Sequence, residues 1–345
     1  GLAKENLGEY QQAIEFYQKA LEIDESLNDK VKIPISYSNI GNCYLYMQEY
    51  TKALEYHQKA LEIYQQLNDN VNIAFSFQNI GEVYRIQGIT EKAFDYFNKS
   101  LEINQTIGDA KAIASDYVNI ANVYIQKSDF DKSVEYLLLS LKFFEKIEDK
   151  MSIAIIYNNL ASTYKSLQNY EKAYEYIQKS IEINQSVKDI IALKRNYINL
   201  AYIFEEQKKW ENAIDAYKQV ANYAFNLDYL QEAAEQYNKI GEIYEDLKKI
   251  DLALMYYPKA IELYKLVNDY DSIKSTYHTM FGIYEHLKQF NNAIKTQNDV
   301  VKIFIEAGIE DQLADTYLTI GNFFYNNQDD QKAEQYYFKS LQLYI

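Results

Sequence analysis

Residues 157–164 read YNNLASTY, and closely related stretches recur every 40 residues along the chain. They read YSNIGNCY at 37–44, FQNIGEVY at 77–84, YVNIANVY at 117–124 and YINLAYIF at 197–204. In each stretch an aromatic residue is followed four positions later by a small residue, and three positions after that by a second aromatic residue. Spacings of three and four place these residues on one helix face. The pattern therefore predicts one amphipathic helix in each 40-residue repeat, named helix A here.

A second helix, helix B, is predicted from a column of small residues twelve positions after the small residue of helix A. That column contains Ala13, Ala53, Ala93, Ser133, Ala173, Ala213, Ala253, Ala293 and Ala333. In repeat 71–110, helix A is expected over about 71–86 and helix B over about 90–107. The small residues should let the two helices approach closely, and the aromatic residues should fill the space between adjacent repeats. We expect an Asp to cap the start of most helices A: Asp29, Asp69, Asp109, Asp149, Asp189 and Asp269.

The order small–x3–aromatic in helix A, then Ala–x3–aromatic–x2–small in helix B, resembles the tetratricopeptide repeat over the whole chain. The common unit of that family has about 34 residues, and the longer repeats here are similar to those of kinesin light chains, Leu-Gly-Asn-type adaptors and bacterial peptide-sensing regulators. The resemblance implies one all-α, right-handed solenoid, a superhelix of helix-turn-helix repeats over residues 1–345, whose helices A line a concave groove that binds peptides. The small column starts at Gly1. The expected repeats are a partial one at 1–30, full ones at 31–70, 71–110, 111–150, 151–190, 191–230, 231–270 and 271–310, and a nearly complete one at 311–345, within a longer chain.

Composition and charge exclude several classes of function. The net charge of −15 argues against binding to nucleic acid or to an anionic membrane, because both need basic residues. The sequence has no apolar run long enough to span a bilayer and one cysteine, Cys43, so we expect a cytoplasmic protein. The three histidines have no metal-ligand or catalytic spacing, and His57 and Cys43 fall in core columns. We therefore expect no catalytic residue, metal or cofactor.

The third position of each quoted stretch is an asparagine: Asn39, Asn79, Asn119, Asn159 and Asn199. Asparagine is a poor helix former, so a shared task is indicated. One amide per repeat could bond the backbone of an extended peptide, and the resemblance supports that role. The alternative is that these amides tie helix A to the neighbouring repeat and bind no ligand. The full set of candidate peptide-binding residues is Asn39, Asn42, Phe75, Gln78, Asn79, Glu82, Asn119, Asn122, Gln126, Asn158, Asn159, Ser162, Asn199, Tyr202, Asn238 and Glu242.

The predicted groove changes character along the chain. Its second half gains Glu205, Glu206, Glu242, Glu245 and Asp246. We therefore expect a ligand with a neutral or apolar part and a basic part. The alternative is that glutamate is simply common on exposed helices, which applies most to Glu205 and Glu245.

Two residues depart from the repeat. Phe281 occupies the small column, so helix packing in repeat 271–310 should be wider or shifted. Pro258 falls inside a predicted helix B and should kink it near Leu254, because proline cannot donate a backbone hydrogen bond.

The function expected from these features is a non-catalytic scaffold that holds a peptide or helical segment of a protein partner in its groove. Two alternatives stay open. The chain could be the regulatory or substrate-recruiting arm of a larger enzyme, or an architectural part of a large assembly such as a transport or ciliary complex.

Overall fold

The computed structural model describes residues 9–344, which form 17 α-helices and contain no β-strand. Gly1, the first member of the predicted small column, lies outside the described residues. The helices are α1 Tyr10–Ser26, α2 Ile33–Tyr46, α3 Tyr50–Gln66, α4 Asn70–Ile86, α5 Thr90–Ile107, α6 Ala110–Gln126, α7 Phe130–Lys146, α8 Lys150–Ser166, α9 Tyr170–Val187, α10 Ile190–Glu206, α11 Trp210–Asn226, α12 Leu230–Asp246, α13 Ile250–Leu266, α14 Tyr270–His286, α15 Phe290–Ala307, α16 Glu310–Asn326 and α17 Asp330–Tyr344. Even-numbered helices are helices A and odd-numbered ones are helices B. The all-α arrangement of tandem helix pairs is thereby confirmed.

The helices fall into two compact units that divide the chain between Val187 and Lys188. Unit 1 contains α1–α9 and unit 2 contains α10–α17. Within each unit, successive helices along the chain pack against each other. None of the described helices is both long and apolar enough to be a membrane span.

Short turns with a regular backbone conformation separate the helices. From Asn28 to Gln328, one residue every 20 positions has a positive φ, for example Asn68 at 55° and Gly108 at 81°. Such residues end helices by satisfying the last carbonyl groups. The predicted Asp caps are confirmed at α4, α6, α8, α10 and α14, where the carboxylate accepts hydrogen bonds of 2.9–3.2 Å from backbone N–H groups of the first turn. Asp29 instead accepts from Val31 and Lys32 in the turn before α2.

Helices A and B of one repeat pack through small residues of helix A. A β-carbon added to Gly81 would lie 2.8 Å from Cε1 of Phe97, and one on Gly241 would lie 2.6 Å from Cε1 of Tyr257. The close approach predicted for the small column is therefore confirmed. The residue sixteen positions later compensates in size in most repeats: Gly41, Gly81, Gly241 and Gly321 face His57, Phe97, Tyr257 and Tyr337, and Ala121 and Ala161 correspond to the smaller Leu137 and Ile177, whereas Ala201 corresponds to Tyr217.

In repeat 271–310 the sizes of the two facing residues of helices A and B are exchanged. Phe281 takes the small position, and the residue sixteen positions later is a buried Gln297. Phe281 is itself buried and packs edge-on against Phe323, with ring centroids 5.6 Å apart. The large residue has thus moved from helix B to helix A. Helix α13 continues through Pro258 as one α-helix.

The rings of the aromatic columns contact one another inside their own repeat, and they also pack against buried clusters that join adjacent repeats, for example Phe77 against Leu61 and Ile73, so the expectation that they fill the space between repeats is confirmed. In six repeats a ring of helix B stacks on the second ring of helix A at 5.4–5.7 Å and on the first at 5.8–6.3 Å. We name these three rings the aromatic triad. Its helix B members are Tyr56, Tyr96, Tyr136, Tyr176, Tyr256 and Tyr336. In five triads a lysine ammonium lies 4.5–5.0 Å from that ring, a favourable cation–π distance.

Candidate functional site

Helices A leave one face uncovered, which we name the helix A surface. In unit 1, α2 contacts α4 and α4 contacts α6 directly, so that helices A lie side by side. On α4 the uncovered face is formed by Val71, Phe75, Gln78, Glu82 and Ile86, which lie outside the buried set of that helix. Spacings of three and four residues place these side chains on one stripe. The predicted groove residues Phe75, Gln78 and Glu82 therefore lie on one face of α4, and their role in binding a peptide stays a prediction.

The asparagine column lies at the edge of this surface and is half-buried in every repeat from Asn39 to Asn199. The Nδ2 atom of Asn79 is buried and has no hydrogen-bond partner among residues 9–344. A buried amide without a partner costs free energy, so Asn79 does not stabilise this arrangement through that atom. The peptide-ladder role of the column stays a prediction.

Two of the predicted peptide-binding residues instead connect neighbouring helices A. Gln78 of α4 donates from Nε2 to Oδ1 of Asp116 on α6 at 2.7 Å. Gln126 of α6 donates from Nε2 to the backbone carbonyl of Arg85 on α4 at 3.0 Å. The sequence offered, as an alternative, that the asparagine amides connect neighbouring repeats. In these two contacts the connection is made by glutamine side chains. A ligand could still reach the remaining acceptor oxygen of each amide.

Asp116 is a fully buried carboxylate at the junction of α4, α5 and α6. Its Oδ2 accepts from Nδ2 of Asn104 at 2.6 Å, and Asn104 also contacts Oγ of Ser100 at 3.2 Å. Burial raises the pKa of Asp116, and the hydrogen bonds from Asn104 and Gln78 oppose that rise. The network fixes the orientation of Gln78 on the helix A surface.

An apolar strip lies on the helix A surface of unit 1; the sequence placed Phe75 and Ile155 on this face, and the other members were missed. Its members are exposed at the N-terminal halves of helices A or in the turn just before: Val31, Ile35, Val71, Phe75, Met151 and Ile155. Repeat 111–150 interrupts the strip with Lys111 and Ser115. The sequence signal was a pair of apolar residues four positions apart, at the same two positions of repeats 31–70, 71–110 and 151–190.

The remaining candidates of unit 1 are polar residues of the helices A. Gln126, the last residue of α6, is exposed, and the others are half-buried within their helices: Asn42, Glu82, Asn122, Asn158, Asn159 and Ser162. Glu82 forms a two-pronged ion pair with Arg85, with both N–O distances at 2.6 Å. The unit 1 surface thus pairs an apolar strip with a band of amides and hydroxyls.

The helix A surface of unit 2 is dominated by charged contacts between adjacent helices A. Lys194 of α10 pairs with Glu232 of α12, and Lys274 of α14 pairs with Asp315 of α16 at 2.8 Å. Asn238, a predicted peptide-binding residue, accepts at Oδ1 from the Thr276 hydroxyl at 3.2 Å. These pairs occupy the level at which unit 1 exposes its apolar strip.

The acidic residues predicted for the second half of the groove are partly engaged within their own repeats. Tyr217 and Tyr257 each donate a 2.8 Å hydrogen bond, to Oε2 of Glu205 and of Glu245 respectively. Burial and the adjacent carboxylates raise the pKa of both tyrosines. Lys239 lies 3.5 Å from Glu205. The attraction expected for a basic ligand is therefore reduced at Glu205 and Glu245.

Glu242 and Tyr202 are the most accessible predicted residues of unit 2. Glu242 is exposed, accepts from Nδ2 of Asn238 at 2.9 Å, and has its pKa raised by partial burial and by nearby carboxylates despite Lys239. Tyr202 is exposed and meets Tyr217 edge-on at 6.3 Å. Both side chains thus combine contacts within the chain with an exposed surface.

Known families match two parts of the chain. A profile described as tetratricopeptide repeat matches residues 1–66, 32–106, 71–146, 112–186 and 152–224. A profile described as soluble NSF attachment protein matches residues 226–345. A search of curated proteins by sequence gives no match.

Solved structures with a similar fold share little sequence with this chain. A Signal Transduction ATPase with Numerous Domains from Pyrococcus horikoshii, with a tetratricopeptide repeat sensor, has a TM-score of 0.66 and 19% identity over 89% of this chain and 48% of that one. Aspartyl phosphate phosphatase F from Bacillus subtilis has a TM-score of 0.54 and 17% identity over 98% and 93% of the two chains. A Rap protein complexed with Competence and Sporulation Factor has a TM-score of 0.53 and 16% identity over 88% and 86%. Identity this low shows a common fold alone. The profile matches together extend over residues 1–224, and on that ground the chain belongs to the tetratricopeptide repeat family.

Proposed function

We propose that the chain is a non-catalytic protein-interaction scaffold and that the helix A surface of unit 1 binds a segment of a partner protein. The observation that carries the proposal is the apolar strip beside the band of amides. Phe75 and Met151 keep 48% and 58% of their surface exposed. Clustered apolar side chains rimmed by polar groups are typical of interaction sites. The family and the Rap structure solved with Competence and Sporulation Factor favour the same class of function.

The two parts of the surface suggest how a partner segment would lie. Side chains of the segment would cover Phe75 and Met151 and contribute through loss of apolar surface from water. Its backbone or polar groups would meet the amides of Asn119 and Asn122. Such a surface selects an amphipathic segment. A purely apolar segment would leave the amides without hydrogen-bond partners, and a purely polar segment would leave the apolar strip exposed to water.

The experiment compares charge insertion on the strip with charge insertion elsewhere. Peptides from a displayed random library would be selected against the wild-type chain, and their affinities measured by fluorescence anisotropy. Phe75→Glu and Met151→Glu should each weaken binding by at least about ten-fold. Phe225→Glu and Met255→Glu are matched controls, because these residues are exposed to 54% and 60% on helices B.

Two outcomes would count against this proposal. One is a set of selected peptides that bind all four variants alike. The other is a loss of affinity caused by the control substitutions on helices B. Melting temperatures of the four variants would be recorded beside the affinities, so that a loss of fold is recognised separately.

A further inference from the structure

Repeat 271–310 has lost the helix B ring of the aromatic triad. Thr296 stands where six repeats have tyrosine, and Asn292 and Asp299 stand where those repeats most often have lysine. Tyr277 and Tyr284, the two rings of helix A, are retained. A triad that keeps two rings and loses the third leaves unfilled space unless another side chain enters it.

A comparison with repeat 191–230 shows how that space can be filled. There Ala216 replaces the triad tyrosine, and Tyr223 of the same helix packs on Tyr197 with ring centroids 5.7 Å apart. The residue equivalent to Tyr223 in repeat 271–310 is Ile303. Repeat 271–310 therefore lacks the ring that compensates in repeat 191–230.

The structure has a cavity of about 280 Å³ at this place, between α13, α14 and α15 of unit 2. Its lining includes both retained rings, the substituted triad positions and the ring of Pro258. Met280, which is buried, closes it from the side of α14. The cavity lies between successive helices B, whereas the helix A surface is formed by other positions of the helices A.

We propose that this cavity binds a tyrosine or phenylalanine side chain that projects from a partner protein. The six intact triads show which group fits against these two rings: a ring whose centroid lies 5.4–5.7 Å from the second ring and 5.8–6.3 Å from the first. A partner's ring would restore the missing member and recover the stacking contacts that the repeat has lost.

The charges around the cavity favour a neutral aromatic group over a cation or an anion. Lys265 and Lys295 line it together with Glu262 and Asp299, so the opposite charges balance. Burial and the Asp299 carboxylate raise the pKa of Tyr277 to about 12, so its hydroxyl stays neutral. Lys265 or Lys295 would cover an entering ring, as a lysine does in five of the six intact triads.

The test uses the full chain labelled with ¹³C at its methionine methyl groups. The chain has four methionines, Met47, Met151, Met255 and Met280, and of these only Met280 lines the cavity. The probes are the pentapeptide Gly-Gly-Tyr-Gly-Gly and its leucine counterpart. The tyrosine peptide should shift the Met280 signal in a saturable way, and the leucine peptide should bind at least about ten-fold more weakly.

Two variants at Thr296 connect the shift to the cavity. Thr296→Tyr rebuilds the triad from within and should abolish the Met280 shift, whereas Thr296→Ala enlarges the cavity and should preserve it. Equal responses to the tyrosine and leucine peptides in the wild type would overturn the proposal, and this comparison decides even if Thr296→Tyr does not fold. A folded Thr296→Tyr variant that binds the tyrosine peptide as the wild type does would overturn it as well.

Discussion

His57 gives the sharpest prediction for stability, because it is a buried histidine in a position that five other repeats give to aromatic rings. It is 1% exposed and packs against Gly41. Both ring nitrogens are buried without a hydrogen-bond partner among residues 9–344. Phe97 occupies the equivalent position against Gly81 with the same close contact. His57→Phe should therefore fit without repacking.

The size of the expected change in the free energy of unfolding follows from the protonation of His57 in the folded and unfolded states. Desolvation lowers the pKa of His57 from 6.5 to about 4. Above pH 6.5 the residue is neutral in both states. As the pH falls below 6.5, the unfolded chain binds a proton that the folded chain excludes, so stability is lost towards pH 4. Between pH 7.5 and pH 5.5 this loss amounts to about 1.3 kcal/mol.

The assay is urea unfolding of the wild type and His57→Phe at pH 7.5 and pH 5.5, both above the isoelectric point of about 4.8. The variant should lose about 1.3 kcal/mol less than the wild type between the two pH values. It should also be more stable at pH 7.5 by about 1–3 kcal/mol, because two unsatisfied buried groups are removed. His286→Gln, at an exposed histidine, is the control and should keep the wild-type pH dependence. An unchanged pH dependence in His57→Phe would refute this reasoning.

Three further predictions concern packing, capping and buried charge. Gly81→Ala should destabilise the chain by about 1–3 kcal/mol through contact with Phe97, and adding Phe97→Leu should recover much of that loss in urea unfolding; additive effects would contradict the size compensation between helices A and B. Asp109→Ala should cost about 1 kcal/mol, because two first-turn N–H groups at 3.0 Å lose their acceptor; an unchanged thermal midpoint would argue against that capping role. Asp116→Asn should change the pH dependence of stability, because burial raises the pKa of Asp116 and the penalty for its charge accumulates as the pH rises from the unfolded pKa to that raised pKa; the melting temperature of the wild type should therefore fall relative to that of the variant between acid pH and pH 7, and a constant difference would point to another cause.

The repeat pattern was sufficient to predict the fold, because the close approach of helices A and B requires small residues at the same positions of each repeat. Helix bounds in repeat 71–110 differ from the prediction by at most one residue. The turn aspartates could be recognised as caps because their side chains act on neighbouring backbone groups. The left-handed residue in each turn had no comparable signal, since that position is occupied by Asn68, Gly108, Glu148 and Lys188 alike.

Contacts between helices explain what the sequence could not predict. The tie from Gln78 to Asp116 joins residues 38 positions apart, and the size compensation between Gly81 and Phe97 depends on a facing helix. Neither is visible in the periodicity of a single helix. Most of the apolar strip was missed for a related reason: Val71 and Met151 look like ordinary helix starts until the neighbouring helices show which positions stay uncovered.

The most direct test of the central claim uses the same methionine-labelled chain with a peptide selected against the wild type. Met151 lies on the helix A surface of unit 1, Met255 lies exposed on a helix B, and Met280 lines the cavity of unit 2. We predict a saturable shift of Met151 with Met255 unchanged, and loss of that shift in Phe75→Glu. A peptide that binds and shifts Met255 or Met280 while Met151 stays unchanged would contradict partner binding at the helix A surface of unit 1.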